Sequence, residues 1–134
     1  MKKGATELKD DFISFIQYGK LILNCFKNKI RENFPENQTT ILPGISSNEL
    51  MEIRLEDSTL TCLFDDNNTC HSGFLFLDDL KFLDAYRETC NNHCEMIAPN
   101  VWKYDNCYIE LRKHKADFYF TFCLQYNSYD NLLY

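Results

Sequence analysis

From Met51 onward the apolar residues fall at every second position, a spacing that pleated strands produce and helices do not. Met51, Ile53 and Leu55 alternate with Glu52, Arg54 and Glu56, and after Asp57 and Ser58 come Leu60, Cys62 and Phe64 with Thr59 and Thr61 between them. This pattern predicts a hairpin with one wet face. The run Asp65-Asp66-Asn67-Asn68-Thr69 supplies the side chains of a turn. Phe74-Leu75-Phe76-Leu77 is apolar throughout, which predicts a strand covered on both faces, central or beneath helices. Val101-Trp102 opens a further extended stretch, in which Cys107, Ile109 and Leu111 alternate with Tyr108, Glu110 and Arg112. In the last strand Phe118, Phe120, Phe122, Leu124 and Tyr126 fill one face, against Tyr119, Thr121, Cys123 and Gln125 on the other.

Before Met51 the period is that of a helix. Leu8, Phe12, Phe15, Ile16, Ile22, Leu23, Phe26 and Ile30 form one stripe. It predicts a long helix from an N-cap at Thr6 to Asn33, where Pro35 forces Phe34 out of helical geometry. Glu7, Asp10 and Asp11 at its start and Lys27, Lys29 and Arg31 at its end suit the helix dipole, and Gly19 marks a kink or a close crossing. Residues 35–48, with two prolines and Gly44, read as a loop. A second helix, capped by Asp78 or Asp79, runs through Leu80, Leu83, Tyr86 or Arg87 and Cys90 to Asn91-Asn92. The fold class is α+β in one domain, 1–134, of order α-βββ-α-ββ(β). A mainly antiparallel sheet of five to six strands has the helices on one face, because the connections within each strand group are too short for parallel crossovers.

A chain of 134 residues with 45% hydrophobic content buries a core without needing metal or bridges. Its seven cysteines, odd in number and irregular in spacing, suit free thiols in a reducing compartment. Met1-Lys2-Lys3 is followed by Glu7, Lys9, Asp10 and Asp11 where an export signal needs an apolar run, so a cytoplasmic protein is expected. No apolar stretch approaches the ~20 residues of a membrane helix. Lys+Arg 14 against Asp+Glu 20 gives a net charge of -6, which repels nucleic acid and attracts a basic protein. Gly4, Gly19, Gly44 and Gly73 form no phosphate-binding loop, and the sequence asks for no cofactor.

Two groups of residues are candidates for a site. Cys70-His71 and Cys90, His93 and Cys94 are soft or borderline ligands within a short span. Structural zinc sites present two knuckles and this set has one, so no metal is assigned; if one binds, these residues hold it. The same set would supply an enzyme with a thiol nucleophile and His71 or His93 as its base. Asp65-Asp66 fails as a calcium loop, with Cys70 where glycine is needed and Phe76 where a bidentate glutamate is needed. The second group is acidic and aromatic: Asp65, Asp66, Asp78 and Asp79 at strand ends, and Tyr104-Asp105 and Tyr108 with Glu110, rings beside carboxylates. That composition suits an interface for a basic, Arg-rich partner.

A small, acidic chain with 15% aromatic residues and no catalytic signature resembles the immunity proteins of bacterial polymorphic toxins, including those of contact-dependent inhibition. The resemblance implies a stoichiometric inhibitor, not an enzyme, that occludes the active site of a toxin domain. Type III secretion chaperones are similar in size, acidity and element order but continue into a third helix, for which Asn127 to Tyr134 is too short. The third alternative is a thiol- or zinc-dependent enzyme built on the Cys70/His71/Cys90/His93/Cys94 set.

Overall fold

The computed structural model describes residues 14–44 and 48–126. The expected cap at Thr6, the acids Glu7, Asp10 and Asp11, and Leu8 and Phe12 of the helical stripe lie outside them. Eight strands form one sheet: β1 Thr39–Pro43, β2 Glu49–Arg54, β3 Ser58–Phe64, β4 Cys70–Leu77, β5 Glu95–Ala98, β6 Val101–Tyr104, β7 Cys107–His114 and β8 Asp117–Cys123. Their order is β1-β2-β3-β4-β8-β7-β6-β5, and every pairing is antiparallel. The described residues also form α1 Tyr18–Ile22, α2 Lys27–Asn33 and α3 Leu83–His93, the last entered through a 3-10 turn, Leu80–Phe82. No helix among the described residues is long and apolar enough to cross a membrane.

The α+β class and the antiparallel pairing agree with the sequence reading, whereas the count of five to six strands and the long N-terminal helix do not. The two additional strands, β1 and β5, are the sheet's edges. β1 lies within the stretch read as a loop and ends at Pro43, a residue sheets tolerate at an edge. In β5, Glu95, Met96 and Ile97 are all exposed, so no alternation marks the strand, and an irregularity between Met96 and Ala98 breaks its register.

The N-terminal helix divides at Leu23–Phe26. Leu23 turns extended and Asn24 takes a left-handed φ of 60°, which asparagine tolerates better than most residues. Backbone groups freed by the break bond to the sheet. The Asn24 N–H donates to the Cys70 carbonyl at 2.8 Å, and the Cys70 N–H donates to the Cys25 carbonyl at 3.0 Å. The Asn33 amide donates to the Leu21 carbonyl at 2.8 Å and ties α2 back onto α1. One straight helix from Thr6 to Asn33 would reach about 40 Å, past strands of about 25 Å, so the doubled-back form buries more of the stripe. Ile22 and Ile30 are fully buried, while Phe26, in the break, is 59% exposed.

Register lines up the core. Ile53, Leu60, Leu75, Phe120 and Leu111 form one row across the sheet, and Met51, Cys62, Gly73, Phe122, Ile109 and Trp102 the next. The helices and the residues before α1 cover this face: the Phe15 ring lies 4.8 Å from Phe120 and 4.9 Å from Tyr86 of α3, and Trp102 Nε1 donates to Asn91 of α3 at 2.8 Å. Gly19 makes the expected close crossing, since a Cβ there would fall on Cys107 Sγ and lie 3.2 Å from Cys107 Cβ. Gly19→Ala should therefore cost about 1–2 kcal/mol, overpacking outweighing the gain in helix propensity. In urea denaturation, adding Cys107→Ala should recover part of that loss; a G19A variant as stable as the parent would contradict the crossing.

Candidate functional site

The other face of the sheet carries two aligned rows, Glu52-Thr61-Phe74-Thr121-Glu110 and Arg54-Thr59-Phe76-Tyr119-Arg112. β4 is central, as the apolar block predicts, but α1, α2 and α3 pack on the opposite face, and the strand is not covered on both sides among the described residues. Phe76 is 44% exposed. Its ring lies 5.5 Å from Tyr119 and 6.4 Å from Phe74, so these rings shield one another where no helix does. With Leu50, Leu63 and Leu80 they line a groove of about 710 Å³. The charged lining residues are Glu52, Asp78 and Asp117, with His114 and no lysine or arginine.

A second concavity, of about 440 Å³, opens on the helix-covered side, between the end of α2, the β2–β3 turn and the start of α3. Tyr18, Phe34, Leu55, Phe82 and Tyr86 wall it. Glu36, Glu56 and Asp57 are the exposed members of the lining, and again no lysine or arginine contributes.

The acidic candidates from the sequence are dispersed, and several are engaged locally. Asp65 accepts hydrogen bonds from the N–H groups of Thr69 and Asn67 and from the Thr69 hydroxyl, and these, Thr69 foremost, hold its carboxyl below the usual carboxylate range. Asp66 is exposed beside it. At the far end of β4, Asp78 pairs with Arg54, which lowers its carboxyl, and Asp79 caps the 3-10 turn by accepting from the Lys81 N–H at 2.9 Å. Asp105 pairs with Lys20 of α1 at 3.0 Å, and the bond raises the lysine's pKa. Tyr104 packs against the core. Tyr108 stacks 5.9 Å from Tyr126, and Glu110 pairs with Arg112 at 3.3 Å, both on the uncovered face. Of these residues only Asp78 lines a concavity. The groove's rings were visible in the sequence as strand residues, but the apolar run Phe74-Leu75-Phe76-Leu77 pointed to cover on both faces and gave no sign of which face the described helices leave open.

The five candidate metal ligands do not converge. Among the described residues no three His, Cys, Asp or Glu side chains are disposed to hold a metal ion. Cys70 lies with Cys62 and Cys25 at the start of β4; His71 is exposed, 2.9 Å from Ser72 Oγ; Cys90, His93 and Cys94 lie at the end of α3. All seven thiols are free. The Cys70 hydrogen bond and burial push Cys62 up, and burial pushes Cys107 up to about 12. Cys94, half-buried, is instead lowered by the hydrogen bond from Cys90, whose own thiol is raised. Brief iodoacetamide treatment of the folded protein at pH 8, read by peptide mass spectrometry, should label Cys94 well ahead of Cys62 and Cys107. Equal labelling of the three would contradict this ranking.

No protein-family model, curated protein or solved structure matches the chain.

Proposed function

We propose that this chain is a protein-binding inhibitor, an immunity protein that neutralises a basic toxin domain by docking it over the uncovered sheet face. The observation that carries the reading is the Phe74–Phe76–Tyr119 groove, an apolar centre with Glu52 and Asp117 in its lining and no lysine or arginine. Buried aromatic anchors inside a polar rim are the anatomy of protein interfaces. Complementarity of charge selects the partner: the chain carries -6, and Glu52 and Asp117 in the groove and Glu36, Glu56 and Asp57 in the second concavity offer carboxylates, although Asp78 is already paired with Arg54. The dispersed acids Asp65, Asp66, Asp79 and Asp105 serve long-range steering, since charges away from the contact act on association rate more than on affinity.

The secretion-chaperone alternative expects three strands, a helix and two strands, and the four-plus-four arrangement departs from it. Co-expression with the product of the adjacent gene tests the inhibitor reading. A one-to-one complex that protects the host cell, with an association rate falling as salt rises, is the expected result. Absence of both complex and protection would overturn it.

A further inference from the structure

The concavity on the helix-covered side has the parts of a cation receptor. Tyr18 and Phe34, with ring centroids 5.9 Å apart, stand in its lining with Phe82 and Tyr86, and ring faces attract cations through their quadrupoles. Glu36, Glu56 and Asp57 supply negative charge from exposed positions. Arg54 is the cation closest in sequence to this turn; it projects on the opposite sheet face, held by Asp78.

An independent observation comes from Ser58. It is only 3% exposed, yet its hydroxyl has no hydrogen-bond partner among the described residues. Strand alternation places its side chain on the face of Leu60 and Cys62, the face on which this concavity lies. The residue lines the concavity, so its hydroxyl is an acceptor that no described protein group engages and that a donor entering the cavity can reach.

We infer that this concavity binds a guanidinium or alkylammonium group, held against the tyrosine and phenylalanine rings that wall it, bonded to the Ser58 hydroxyl and neutralised by Glu56 and Asp57. Such a group has donors only and a positive charge, which matches what the lining offers. The site is separate from the groove, and its test needs no toxin, so its failure and the failure of the inhibitor reading are distinguishable.

The experiment is a titration of isotope-labelled protein with n-butylguanidinium and with its neutral isostere n-butylurea, followed by amide shifts. The expected result is saturation with Kd on the order of 1 mM for the cation, with shifts centred on Glu56, Asp57, Ser58 and Tyr86. The urea should bind at least about tenfold more weakly, and so should the cation to a Glu56→Gln/Asp57→Asn double variant. Those positions are exposed, so the variant is expected to fold. Ser58→Ala should give a smaller loss. A second arm uses a blocked Gly-Arg-Gly peptide: binding as tight as the fragment assigns the source to a protein side chain, and exclusion of the peptide with the fragment still bound assigns it to a free small cation. Equal affinity for cation and urea, shifts elsewhere, or no saturation by about 50 mM overturns the inference.

Discussion

Trp102→Ala is expected to lower the free energy of unfolding by about 3–5 kcal/mol, the largest loss among single substitutions of this core. Trp102 is 1% exposed and heads the largest fully buried side chains. It ends the row that Ile109 and Phe122 continue, and its indole N–H donates to Asn91 across the sheet–helix junction. Removing it leaves a cavity under α3 and breaks that bond, although Asn91 is exposed and regains water. Most of the loss is therefore packing. Trp102→Phe, which keeps a ring but not the donor, should cost only about 1–2 kcal/mol. Domains of this kind are stable by about 5–15 kcal/mol, so the alanine variant should be visibly nearer its unfolding midpoint in urea at an unchanged m-value. A change below about 1 kcal/mol for alanine would show that α3 does not seal this end of the core.

The second large effect lies on binding. On the inhibitor reading, Phe76→Ala and Tyr119→Ala should each weaken binding of the proposed toxin by about 2–4 kcal/mol, roughly 30- to 1,000-fold, because aromatic anchors at the centre of an interface dominate its energy. Phe76, 44% exposed, should lose little folding stability on truncation, so the affinity change is separable from unfolding. Calorimetry against the purified toxin domain, with urea denaturation of the same variants, checks both. Glu52→Lys and Asp117→Lys should act differently, slowing association and flattening its salt dependence. Parent-like affinity in both alanine variants, with a loss on reversing Asp65 and Asp66 to lysine, would move the contact to the β3–β4 turn.

The sequence made much of this legible for a definite reason. Met51 to Phe64 and Cys107 to Phe122 write their period plainly because one side of each strand is buried. β1 and β5 write none, since an edge strand such as Glu95 to Ala98 buries too little for alternation to be selected. The break at Asn24 was hidden because Phe26 and Ile30 keep the helical phase of Ile22 and Leu23, and only the backbone bonds to Cys70 override it. At the site, Phe74, Phe76 and Tyr119 could be assigned to strands from the chain alone. Which face the described helices leave open depended on α1, α2 and α3 packing on the same side, and that is a property of packing that no local pattern records.

The strand order has a consequence for how the chain reaches its fold. β1 to β4 and β5 to β8 are each a meander of sequence neighbours, and β4 with β8 is the one pairing between them. Each meander grows through short closures, whereas the seam waits on a long one, and distant closures set folding speed. α1 touches β4, β7 and β8 and so straddles the seam like a clasp. The expected slow event is thus the docking of one meander on the other, and substitutions at Gly73, Leu75, Phe120 and Phe122 beneath that clasp should slow stopped-flow refolding more than those at the edge strands.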